Sequence, residues 1–160
     1  MSLELHFAKY KNNLYQVGNN LPNKNGEFHL KLSTVDEKKM LPEFTKYDDM
    51  ALLEVPASNP DVTDIFSIKI AFEHDGQNYN NCSILSLSFE PGWPSLIMVQ
   101  TRNGEGVKAI QMNEVASFSV GKVTHRANGK KPEEPYTGPE ILTPAQFADL
   151  MNHTYNLKKI

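Results

Sequence analysis

The sequence predicts a mainly β fold, α+β at the margin: an antiparallel meander curled into a small barrel or sandwich and closed by a C-terminal α-helix. Two observations carry this. Between Ile65 and Val123, apolar and polar residues alternate in short runs separated by glycine, proline and asparagine, the period-two pattern of half-buried strands. From Thr143 onward the spacing becomes that of an amphipathic helix whose start is marked by a capping box.

Taken in order, Leu3, Leu5 and Phe7 alternate with Glu4, His6 and Ala8 and predict an opening strand. Lys11-Asn12-Asn13 is a turn, and Leu14 to Val17 a second strand. The asparagine-rich segment 18–26, with Pro22, is loop. Phe28, Leu30 and Leu32 mark a third strand. These three strands either form a small sheet of their own or extend the edge of the central one. Thr34-Val35-Asp36-Glu37 fits a capping box, and Pro42 limits the helix it would start to about two turns. Ala51 to Val55 is a further strand before the turn-rich segment 56–60.

In the central stretch Phe66, Ile68, Ile70 and Phe72 share one face. Asp75-Gly76 is a favoured hairpin pair, because both central positions of that turn require positive φ. Leu85, Leu87 and Phe89 carry the next strand, which Glu90-Pro91-Gly92-Trp93-Pro94 ends. The apolar run from Leu96, then Val107 to Met112 and Val115 to Val123, complete five strands. Residues 124–141 contain Gly129, Pro132, Pro135, Gly138 and Pro139, and are expected to form a long surface loop or arm. Thr143 as N-cap, Pro144 at the first helical position and Gln146 closing the box predict a helix over 144–157, with Leu142 and Phe147 as its hydrophobic staple.

With 160 residues, 39% hydrophobic and 22% charged, the chain is expected to fold as one domain over 1–160 with a core that needs no staples. A net charge of −3 opposes whole-surface attraction to nucleic acid or to an anionic membrane. Cys82 is the only cysteine, so no disulfide forms within the chain. No run approaches the ~18 apolar residues of a membrane span, and no cationic-then-apolar leader opens the sequence. A cytoplasmic location is the expectation.

Searching for chemistry yields little. The chain lacks a phosphate loop, a nucleophile elbow and a His-Glu-x-x-His pair, so no catalytic, cofactor-binding or metal-binding residue is assigned. The histidines His6, His29, His74, His125 and His153 are scattered. His6 and His29 lie on polar strand faces and would meet only if those strands pair. His74 beside Asp75 is explained by turn preference. Asp48, Asp49, Asp61 and Asp64 match no calcium loop. Lys122, His125, Arg126, Lys130 and Lys131 form a basic run suited to phosphate contact, or an ordinary solvated loop. Trp93, on its proline-flanked turn, is either an anchor for a partner or a ring folded back over the open end of the barrel.

The chain therefore fits best a non-catalytic binding or assembly module acting through protein–protein contact or self-association. Trp93, the basic residues of 122–131 and an exposed edge strand are its candidate contact points. A small-molecule-binding barrel, or an enzyme with an interior pocket using Tyr79, His6, His29 or Cys82, is the alternative. Nucleic-acid contact through residues 122–131 is the second alternative.

Overall fold

In the computed structural model, residues 5–18, 28–80, 83–100, 106–126 and 136–155 are described. The strands are β1 (His6–Tyr10), β2 (Asn13–Gly18), β3 (His29–Thr34), β4 (Thr45–Tyr47), β5 (Met50–Pro56), β6 (Val62–His74), β7 (Gln77–Tyr79), β8 (Ser83–Ser88), β9 (Leu96–Gln100), β10 (Val107–Gln111), β11 (Phe118–Thr124) and β12 (Tyr136–Leu142). Helix α1 (Pro144–Asp149) continues into a single wide π turn over Leu150–Thr154. The fold is mainly β with antiparallel sheets and one C-terminal helix. The strand orders are open, so no sheet among the described residues is closed into a barrel.

The chain divides into two compact units. The N-terminal unit comprises Glu4–Ile68 and Lys122–Thr137; the C-terminal unit comprises Met1–Leu3, Lys69–Gly121 and Gly138–Ile160. The long strands β6 and β11 contribute residues to both.

In the N-terminal unit the strands follow the order β11-β6-β1-β2-β3-β5-β4. Strands β1 to β5 thus extend the sheet begun by β6, with Phe7 facing Phe66 and Leu32 facing Leu53 across strand pairs. Between β1 and β2, Lys11 and Asn12 adopt φ of 48° and 67°, the doubly left-handed geometry of a two-residue hairpin turn. One face buries Ala8, Tyr15, Val17, Leu30, Leu32 and Ala51. The connection between β3 and β4 folds over that face, and Phe44 stacks on Tyr15 with ring centroids 5.0 Å apart.

That connection departs from the expected helix. Only a single 3₁₀ turn forms, over Glu37–Lys39, and Asp36 rather than Thr34 caps it by accepting from the Lys38 amide. The Thr34 hydroxyl instead accepts from the Asp36 amide. The need to bring Phe44 down onto the core, with Pro42 excluded from a helix interior, outweighs local helix preference.

In the C-terminal unit, β6 and β11 continue in the order β12-β11-β6, with β7 also paired to β6, and a separate three-stranded sheet runs β10-β9-β8. The meander expected over 65–123 is thus divided between two sheets. The order of strands is a tertiary choice, and alternation along a strand carries no information about its neighbour. Where residues 124–141 were expected to lack regular structure, Tyr136–Leu142 pairs as β12. Its position at the end of the strand order accommodates Pro139, which lacks an N–H for an inner ladder. The capping box at Thr143 and Gln146 forms as expected, and Leu142 and Phe147 are both buried. The helix itself is shorter than predicted, and residues 156–160 lie outside the described set.

Candidate binding groove

The side chain that stands out chemically is His74. Its strand buries every second residue, Phe66, Ile68, Ile70 and Phe72, and His74 continues that phase inward. Asp75 and Gly76, with φ of 51° and 75°, then turn the chain into β7, placing His74 opposite Gln77 and Phe72 opposite Tyr79. Beneath the hairpin runs a column of aromatic rings. Phe72 stacks on Tyr79 at 5.0 Å and leans on Phe118 at 5.2 Å, and Phe118 lies flat on Phe147 at 3.9 Å.

Glu114 arrives from the one-turn 3₁₀ helix Met112–Glu114 that follows β10. Buried Met112 and Val115 pin that turn, and the Met112 amide donates to Ser95 O at 2.8 Å. Glu114 Oε2 lies 3.0 Å from His74 Nε2. An ionised carboxylate only accepts, so Nε2 carries the proton. The other ring nitrogen is the anomaly. His74 is 9% exposed, yet Nδ1 is buried without a hydrogen-bond partner. The nearest carboxylate oxygen, Asp75 Oδ2, is 3.6 Å away, beyond hydrogen-bonding distance. A buried polar atom left so carries an unmatched desolvation cost of ~1–3 kcal/mol.

These residues line a groove of about 590 Å³ within the C-terminal unit, together with Glu73, Asn78, Ser117 and Ser119. Among the described residues its lining holds three carboxylates, Glu73, Asp75 and Glu114, and no lysine or arginine. Asp75 is largely exposed, and Glu114, though bonded to His74, is half-exposed. The groove is therefore electronegative, has amide and hydroxyl groups at its walls, and takes Phe72 from the aromatic column into its lining.

The residues singled out from the sequence lie elsewhere. Trp93 is 74% exposed and is not folded over a sheet. Gly92 has φ of 83° and the Trp93 amide donates to Glu90 O at 3.1 Å, which makes Glu90-Pro91-Gly92-Trp93 a type II turn with the indole at its end. Lys122 is tied into the N-terminal unit: Nζ is 2.8 Å from Asp64 Oδ2 and 4.3 Å from the centroid of the Phe66 ring. The His125 amide donates to Ile65 O, its Nε2 lies 3.1 Å from Ser67 Oγ, and its ring meets His6 edge-on at 6.5 Å. His6 thus finds His125 and not His29, whose strand pairs with β2 and β5. Arg126 is exposed. Lys130, Lys131 and Cys82 lie outside the described residues. Among the described residues, no group of three or more His, Cys, Asp or Glu could hold a metal ion, and no helix is long and apolar enough to cross a membrane.

Sequence reasoning attributed His74 to the hairpin tip and passed over Glu114. The signal for His74 was available: four apolar residues in the same phase precede it. Glu114 sits on a single turn with no periodicity to read. The comparisons with known proteins leave the groove to stand on its chemistry, because no family model, no curated protein and no solved structure matches the chain.

Proposed function

We propose that the protein is a non-catalytic binding module, and that its groove takes a cationic side chain, lysine or arginine, presented by a partner protein. The observation that carries this reading is the charge of the groove: among the described residues its lining brings Glu73, Asp75 and Glu114 together with no lysine or arginine beside them. Guanidinium and ammonium groups supply several N–H donors and no acceptor. They match carboxylates by charge-assisted hydrogen bonds about twice as strong as neutral ones. The state of His74 supports binding without chemistry. A general base needs a ring nitrogen within reach of the proton it abstracts; here Nε2 is held by Glu114 and Nδ1 is closed off from solvent.

Trp93 supports the same class of function on a second surface, since an exposed indole on a constrained turn loses little entropy when it is buried by a partner. Nucleic-acid contact through 122–131 draws no support from Lys122 and His125, which are engaged on their own sheet. An acidic groove likewise repels phosphate.

Calorimetric titration with an oligo-arginine peptide and its uncharged citrulline counterpart tests the reading, with the His74 ring resonances reporting location. The arginine peptide should bind and shift them. The citrulline peptide, and Glu114→Gln or Asp75→Asn protein with the arginine peptide, should bind roughly tenfold or more weakly, one charge-assisted contact being worth about 1.5–3 kcal/mol. Equal binding of the two peptides, or none by the charged one, would overturn it.

A further inference from the structure

We infer that the outer edge of β10 is an assembly surface that pairs antiparallel with β10 of a second copy of this chain. The inference is independent of the groove. It rests on which edges are guarded against pairing, and on where the backbone of β10 points.

Exposed strand edges attract other strands, and natural sheets blunt them with proline, bulges, short length or charge. The other terminal strands each carry such a device. β4 is three residues long and bears Lys46; β12 contains Pro139; β8 has a register shift between Ile84 and Ser86; β7 is three residues long. β10 has no proline, no bulge and no shortening to three residues. It runs five residues in unbroken register with β9, and among the described residues no strand occupies its far side. Its single charge, Lys108, is turned over the sheet, with Nζ 6.0 Å from the Tyr79 ring centroid.

The direction of its amides follows from the ladder. The Met112 amide donates to Ser95 O, so the Met112–Ser95 position is a hydrogen-bonded pair. In an antiparallel ladder such pairs alternate with non-bonded ones. Stepping back along the register, Ile110–Ile97 and Lys108–Val99 are bonded pairs, and Gln111–Leu96, Ala109–Met98 and Val107–Gln100 are not. The N–H and C=O groups of Val107, Ala109 and Gln111 therefore point away from β9. Their side chains share one uncharged face, on which Val107 is 51% exposed.

A two-fold axis beside Ala109 makes this edge self-complementary, as a symmetric dimer interface requires. Ala109 of the two copies exchange a pair of hydrogen bonds, Val107 faces Gln111, and Lys108 faces Ile110. No like charges are set directly opposite. The contact is short, so the dimer forms in a concentration-dependent equilibrium.

Light scattering on size-exclusion fractions, at low and at high protein concentration, reads the mass. The wild-type chain should move from monomer toward twice that mass, while Ala109→Lys, which sets two ammonium groups against each other at an exposed position, should stay monomeric with unchanged circular dichroism. Ala109→Pro, lacking an outward donor, should behave like Ala109→Lys. Amide exchange adds a second reading: protection at Val107, Ala109 and Gln111 should rise with concentration, and protection at Lys108 and Ile110 should not change. A wild-type chain that stays monomeric, or a dimer that survives Ala109→Lys, would overturn the inference.

Discussion

The two units solve the same burial problem and differ in what they leave unsatisfied. In the N-terminal unit the polar tips of the buried aromatic cluster are all engaged. The Tyr15 hydroxyl donates to Lys39 O at 2.7 Å, the Tyr10 hydroxyl donates to Glu43 at 2.8 Å, and Phe44 closes the stack against both rings. The C-terminal unit has an equally tight aromatic column but leaves polar groups open. The buried side-chain atoms without a partner among the described residues are His74 Nδ1 and Asn152 Oδ1, and both belong to it, as does exposed Trp93. Native cores pair their buried polar groups unless another demand intervenes. The contrast teaches that, among the described residues, the buried aromatic cluster of the N-terminal unit is satisfied by its own contacts, whereas the buried polar atoms without a partner lie in the C-terminal unit.

The largest effect should be common to both units, because it concerns packing alone. Phe118 is fully buried between Phe72 and Phe147, and truncating it to alanine should cost ~3–5 kcal/mol. Phe44→Ala in the N-terminal unit should fall at the lower end of that range, since Phe44 is 7% exposed. Denaturant midpoints at unchanged slope measure both. A Phe118→Ala loss below about 1 kcal/mol would mean that the column is not a packed core, and the contrast between the units would then begin with packing rather than polarity.

The next pair of changes separates the units directly. Tyr15→Phe deletes a hydroxyl with a good acceptor, so it should destabilise by ~0.5–1.5 kcal/mol. His74→Leu removes a ring nitrogen with no partner while losing the Glu114 bond, which is half-exposed on the acid side. Water can take up the half-exposed Glu114 carboxylate, so the substitution strands no buried polar group, and thermal unfolding should hold or rise while oligo-arginine binding falls. A His74→Leu protein less stable than Tyr15→Phe would show that the histidine serves the fold and that the two units do not differ.

Much of this was legible from residue order, and the exceptions share a cause. Strands β3, β5 and β6 were visible because one buried face makes side chains alternate, as in Phe66, Ile68, Ile70 and Phe72. The capping box at Thr143 was visible because it is satisfied within four residues. β12 was hidden because its burial does not alternate: every residue but Leu142 is exposed, and Gly138-Pro139 signals loop. Phe44 and Glu43 were hidden because they act through Tyr10, Lys11 and Tyr15, far away along the chain. The His74–Glu114 pair spans 40 positions, so half of the candidate site has no local signature.

The smallest effect concerns acid. In the N-terminal unit Glu43 accepts from Lys11 Nζ at 2.6 Å and from the Tyr10 hydroxyl. The Lys11 hydrogen bond, then backbone and Tyr10 hydrogen bonds, lower its pKa from 4.5 to about 2. A carboxyl that is more acidic folded than unfolded stabilises the fold above its unfolded value, and that contribution fades as pH falls through the folded one. The window is therefore pH 4.5 down to about 2. Both side chains of the ion pair are partly exposed, so solvent and salt screen the contribution and it stays modest. Glu43→Gln should flatten the stability profile within that window and leave the slope above it unchanged. Melting temperatures of the two proteins across the acid range measure this, and parallel profiles would mean that the clasp over the Tyr10–Tyr15–Phe44 cluster contributes nothing beyond the stacked rings.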